Sequence, residues 1–130
     1  MKGEPMKKIL IVDDDKDLRD VLKAVLSDSY TLKEAGSKKE ALGVLKTFKP
    51  DLVLLDVMME SVNAGFELAR EIKSVAALKK TKVLMLTNID RESRIDYKSE
   101  AGDEAWLPVD DYLLKPVDPS VLRAKVQKLI

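Results

Sequence analysis

The sequence predicts an α/β fold, a doubly wound five-stranded parallel sheet between two layers of helix, and three observations predict it. Short continuous apolar runs, each suited to a strand buried on both faces, alternate with stretches whose apolar residues recur at helical spacing. The alternation fits five times into 130 residues, the length of one ordinary domain and too little for two. Strands alternating with helices imply right-handed crossovers, and these cover both faces of the sheet to give a three-layer sandwich.

The first run, Ile9 to Val12, ends at Asp13, and Leu18, Val21, Leu22, Val25 and Leu26 then repeat at helical spacing, with Asp15 as the helix cap. Tyr30 to Ala35 can form the second strand. Gly36 breaks it, and Ser37 can cap a helix whose inner face is Ala41, Val44 or Leu45, and Phe48, before Pro50 ends it. Leu52 to Leu55 repeats the buried-strand pattern and stops at Asp56; Phe66, Ala69 and Ile72 then mark a third helical stripe. Val83 to Leu86 is the fourth strand and ends at Thr87, Glu92 to Ala101 a weakly amphipathic fourth helix, and Tyr112 to Leu114 the fifth strand, ending at Lys115. Leu122, Val126 and Leu129 mark a closing helix. A single domain with its core over about residues 7–130 and a flexible 1–6 segment is expected. Because the fourth helix offers only Ile95, Tyr97 and Ala101 as apolar anchors, it is expected to be the most mobile helix.

Composition narrows the chemistry. Lys plus Arg and Asp plus Glu both number 23, so no net positive field exists to neutralise nucleic-acid phosphates or to draw the chain onto anionic lipid. Direct nucleic-acid or membrane contact is therefore not expected. The chain has no Cys and no His, which removes thiolate metal sites, Cys nucleophiles, and the commonest zinc ligand and general base. No window approaches the roughly 20 apolar residues of a membrane span, and residues 1–8 carry charge and Pro where a signal peptide needs an apolar core, so a cytoplasmic location is expected.

In an open parallel sheet ligands bind beyond the carboxyl ends of the strands. There the sequence sets Asp13 and Asp14, Asp56, Thr87 and Lys115, all polar and on four separate strands. Carboxylates about 4 Å apart repel by roughly 4 kcal/mol per pair, so they need a cation or a shifted protonation to coexist. Mg²⁺ prefers oxygen ligands and is typically held by one or two carboxylates together with a phosphate. Asp14 and Asp56 can supply those carboxylates, with Asp13 behind them. An Asp carboxylate is also a possible nucleophile toward phosphorus, and the charge that spreads over phosphoryl oxygens wants a lysine and a hydroxyl nearby, which Lys115 and Thr87 can provide. Taken alone, the run Asp13-Asp14-Asp15 is as readily a helix-capping cluster. Tyr112 can simply pack, and Met58 and Met59 can be gap fillers.

The segments Val12-Asp13-Asp14-Asp15, Leu55-Asp56-Val57-Met58-Met59, Leu86-Thr87 and Asp110-Asp111-Tyr112-Leu113-Leu114-Lys115-Pro116 together resemble a response-regulator receiver domain of two-component signalling, of the CheY-like superfamily. The resemblance spans nearly the whole chain. It implies a flavodoxin-like (βα)5 fold with strand order 2-1-3-4-5, a phosphoryl group accepted on Asp56, and Mg²⁺ or Mn²⁺ held by Asp13, Asp14, Asp56 and the backbone carbonyl of Met58. It also implies Lys115 over the pocket, set there by a cis peptide before Pro116, and Thr87 and Tyr112 as switch residues. The implied partners are a histidine kinase or histidine phosphotransfer protein, and a downstream protein that docks on the face made by the fourth helix, fifth strand and closing helix. Such a chain is a signalling protein whose only chemistry is its own phosphorylation and slow dephosphorylation.

The sequence departs from the family pattern in four places. Glu60 stands where the family usually has Pro, the span from Asp56 to Gly65 is one residue longer, Asn88 replaces a small residue, and Gly102 to Asp110 is extended and includes Trp106. Trp106 can cover an apolar edge or form a partner-binding knob. Two other functions share parts of the pattern. A phosphorylation-independent module would keep the fold, but Asp13, Asp14, Asp56, Thr87 and Lys115 are all present. A Mg²⁺-dependent phosphatase working through an aspartyl phosphate usually needs a second acid beside the nucleophile, where this chain has Val57 and Met58. Either a stand-alone receiver or a piece of a longer regulator fits the sequence.

Overall fold

The computed structural model describes residues 6–56, 64–75, 78, 80–87 and 110–130, with backbone alone for 64–66 and 87. The elements run β1 (Lys8–Val12), α1 (Lys16–Leu26), β2 (Thr31–Ala35), α2 (Lys38–Phe48), β3 (Leu52–Asp56), α3 (Ala64–Ser74), β4 (Lys82–Thr87), β5 (Asp111–Leu114) and α4 (Pro119–Leu129). All four strand pairings are parallel, in the order β2-β1-β3-β4-β5. The doubly wound fold and the strand order both match expectation. The fourth helix expected at 92–101, its mobility, the 102–109 extension with Trp106, Glu60, Asn88 and the segment 1–5 lie outside the described residues.

Strand alternation sorts the core into two halves. Leu10 and Val12 of β1, Val53 and Leu55 of β3, and Val83 and Met85 of β4 face α2 and α3. Ile9 and Ile11, Leu52 and Leu54, Leu84 and Leu86, and Leu113 face α1 and α4. Each fully buried Leu, Ile or Val side chain contributes about 1.5–3 kcal/mol, so β1, β3 and β4, buried on both faces, hold the sandwich together.

The helices begin and end where local chemistry directs. Asp15 caps α1 by accepting the Asp17 and Leu18 amides, and Ser37 caps α2 by accepting the Glu40 amide. Lys49 closes α2 in the left-handed region (φ 46°) just before Pro50. Asp118 caps α4, with Pro119 in its first turn. One expected core residue is on the surface: Val21 is 51% exposed, while Leu22 and Leu26 are buried. At about 100° per residue Val21 lies roughly 120° from the centre of the buried Leu22–Leu26 face, too far round to reach the sheet. Val44 is partly buried, and Ala41, Leu45 and Phe48 form the buried face of α2.

Candidate metal centre

Sheet register brings the acids together. Val12 pairs with Leu55 in parallel, so the next residues, Asp13 and Asp56, emerge side by side at the point where the strand order reverses. Asp13, Asp14 and Asp56 each present a carboxylate oxygen, and these oxygens all lie within 4.8 Å of one another. Asp13 and Asp56 are buried and Asp14 is exposed, so the cluster has a dry floor and an open mouth. At an effective dielectric near 20, two charges at that separation repel by roughly 3.5 kcal/mol.

Lys115 answers part of that charge. Its Nζ lies 3.2 Å from Asp56 Oδ1 and 3.4 Å from Asp13 Oδ2. The Lys115–Pro116 peptide is cis. The Asp13 carboxylate is held from behind as well, its Oδ1 accepting the Asp15 amide at 2.9 Å. One ammonium cannot neutralise three carboxylates. The donor set is all oxygen, compact and anionic, and it fits a hard divalent cation such as Mg²⁺, which keeps part of its water shell and so tolerates an open side.

Of the other expected site residues, Tyr112 lies on β5, partly buried against the α2–α3 half of the core, with Lys125 Nζ 5.9 Å from its ring centroid. Thr87 is the last residue of β4, where its backbone pairs with Leu114, one residue before Lys115; its side chain and all of Met58 lie outside the described residues.

These features are shared with known proteins. Residues 9–127 match the family model of the response regulator receiver domain. The chain belongs to the response-regulator receiver family. The receiver is 32% identical to the chemotaxis protein CheY of Halobacterium salinarum, over 91% of this chain and 92% of that protein. It is 34% identical to the alkaline phosphatase synthesis transcriptional regulatory protein PhoP of Bacillus subtilis, covering 95% of this chain but 48% of that one. This receiver thus spans about half the length of several curated relatives it matches. Among solved structures it resembles the chemotaxis response regulator CheY4 of Vibrio cholerae at 29% identity and TM-score 0.81, covering 96% and 99% of the two chains. Receivers of this family are signalling domains within two-component systems.

Sequence reasoning missed one residue beside the receiver's acids. Arg19 donates from Nη1 to the Asp13 carbonyl oxygen at 2.5 Å and from Nε to Glu34 Oε1 at 2.7 Å. Lys23 grips the other Glu34 oxygen at 2.5 Å, and these two cations, Lys23 first, hold the Glu34 carboxyl below the usual carboxylate range. Its sequence signal was an arginine one turn into the helix that follows the acidic strand end, because helical side chains lean back toward the N-terminus. Among the described residues no helix is long and apolar enough to cross a membrane.

Proposed function

We propose that this receiver accepts a phosphoryl group on Asp56 from a histidine kinase or histidine phosphotransfer protein, and that the added charge remodels a protein-docking face. The convergence of Asp13, Asp14 and Asp56 beside Lys115 carries this reading. An Asp56 carboxylate oxygen attacks phosphorus, the P–N bond of the donor phosphohistidine breaks, and the imidazole departs with the bonding electrons and takes a proton. Lys115 stays within reach of the phosphoryl oxygens and balances the charge that spreads over them. Asp13, Asp14, Asp56 and the Met58 carbonyl would hold Mg²⁺ or Mn²⁺, which supplies charge neutralisation and a template for the phosphoryl oxygens.

Thr87 is the switch hydroxyl and Tyr112 the aromatic that follows it. Supporting this, Asp56 pairs in register with Leu86, which puts the Thr87 backbone on the strand between the acceptor and Lys115. Such a switch is a bistable element biased by a local change of charge. The docking face includes β5 and α4, where Leu114 (46% exposed) and Val121 (40% exposed) offer apolar contact to a protein partner. With equal numbers of basic and acidic residues, neither nucleic acid nor a membrane is the direct partner. Residues 1–130 act as one receiver unit in the cytoplasm, turning over no external substrate.

Intact-mass measurement after incubation with acetyl phosphate tests the proposal. We expect one added phosphoryl group in the presence of Mg²⁺, none with chelator, and none in Asp56→Ala. A Mg²⁺-binding protein that gains no mass would instead be a phosphorylation-independent module.

A further inference from the structure

Arg19 joins three elements in a way that the proposed chemistry does not by itself require. Its side chain, 15% exposed, runs from α1 to the Asp13 carbonyl that ends β1 and to Glu34 on β2. The Asp13 amide is also fixed, donating to the Ala35 carbonyl at 3.1 Å. Both backbone groups of Asp13 are therefore pinned. The carbonyl that Arg19 holds belongs to the peptide joining Asp13 to Asp14, and because a peptide is planar, fixing its carbonyl fixes the direction from which Asp14 departs. Asp14 is exposed and its carboxylate has no hydrogen-bond partner among the described residues, so the backbone, by fixing where its side chain starts, sets which positions that carboxylate can reach.

Two further features suit this arrangement. A Cβ at position 36 would stand 3.2 Å from Arg19 Nη1 and 3.1 Å from Glu40 Oε1, so Gly36 leaves the room the guanidinium occupies. Glu34 offsets the positive charge that Arg19 brings close to a cation centre.

We propose that Arg19 is a positioning residue for the acidic centre: anchored by Glu34, its guanidinium clamps the Asp13–Asp14 peptide and so sets the Asp14 carboxylate against Asp56 for a divalent cation. The inference rests on reading these acids as a cation centre. A planar fork makes two bonds in fixed directions at once, which a lysine ammonium on a flexible stem does not reproduce. Removing the guanidinium leaves Glu34 paired with Lys23, so Arg19→Met does not strand a carboxylate without a cation.

The test is isothermal titration of the full chain with Mg²⁺, alongside urea unfolding in chelator, for the wild type, Arg19→Met, Arg19→Lys and Asp110→Ala. Groups that orient metal ligands are typically worth 10–100-fold in affinity, so Arg19→Met is expected to bind Mg²⁺ about tenfold or more weakly, with Arg19→Lys losing about threefold or more. Asp110→Ala, destabilised at the opposite edge of the sheet, is expected to bind Mg²⁺ as the wild type does. That separates positioning from general loss of stability. Wild-type affinity in Arg19→Met overturns the clamp, as does wild-type affinity in Arg19→Lys if the methionine variant does not fold. A wild type that binds no Mg²⁺ overturns the cation centre itself, and the clamp with it.

Discussion

At the amino edge of the sheet, Asp51 accepts the Lys8 amide at 2.8 Å, and Asp110 accepts the Val83 amide at 2.8 Å and the Lys73 ammonium at 2.7 Å. At the carboxyl edge, Asp13, Asp14 and Asp56 turn toward one another within 4.8 Å. The residue type is the same at both edges. At the first, each carboxylate bonds a strand amide and ties neighbouring strands together, as the buried Thr81 hydroxyl also does by donating to the Pro50 carbonyl at 2.7 Å. At the second, like charges are concentrated, and the repulsion is relieved only in part by Lys115. One edge is built for stability, and the other gathers carboxylate charge that could hold a metal ion.

Lys115→Ala should break the contrast most visibly. Removing one preorganised charge-stabilising group costs about 10²–10³ in rate, so phosphoryl uptake from acetyl phosphate should slow by about a hundredfold, and the urea midpoint in chelator should fall as the buried Asp13 and Asp56 lose their counter-charge. Asp110→Ala should cost stability alone and leave the uptake rate unchanged. It leaves the Val83 amide without its side-chain acceptor and Lys73 without its carboxylate, and should lower the unfolding free energy by about 2 kcal/mol, equally with and without Mg²⁺, as read by urea denaturation.

Asp13→Asn sharpens the comparison by inverting sign. In chelator, removing one of three crowded charges should stabilise the protein by about 1 kcal/mol, part of the repulsion already being offset by Lys115. With Mg²⁺ at about 100 times its Kd the wild type gains about 2.7 kcal/mol from binding, whereas the variant gains less, so the order of stabilities reverses. Thermal melts in the two buffers check this.

The smallest effect concerns Glu34, a carboxylate with cations on two sides. Its folded pKa is depressed, so its contribution is fully present above the ordinary value of 4.5 and is lost as pH falls through the lower folded value. The side chain is 34% exposed, which leaves about 0.5 kcal/mol after solvent screening. Glu34→Gln should be that much less stable than the wild type at pH 6, and the gap should close on acidification below pH 4.5.

The strands and the acids of the site were legible in the sequence for one reason. A strand buried on both faces must be continuously apolar, so the residue at which apolarity stops, as at Asp13 and Asp56, marks the carboxyl edge. The side chains that brace the two edges were harder to read. Asp110 accepts the Val83 amide 27 residues back, a contact set by how β5 sits on the sheet, which no local pattern records. Arg19 meets the Asp13 carbonyl only six residues back, and its place one turn into α1 was a local signal that its contact with Glu34 on β2 completes. Val21 misled because five apolar residues in one helix spread over more of the surface than the sheet can cover. Leu78, buried just before β4, was missed because it stands outside any periodic stretch.

The most direct measurement is borohydride trapping of the protein after acetyl phosphate and Mg²⁺, followed by peptide sequencing, because reduction converts a side-chain acyl phosphate into the corresponding alcohol. The account predicts homoserine at position 56 and nowhere else. Homoserine at another aspartate, or intact Asp56 in protein shown by mass to carry the phosphoryl group, would contradict it.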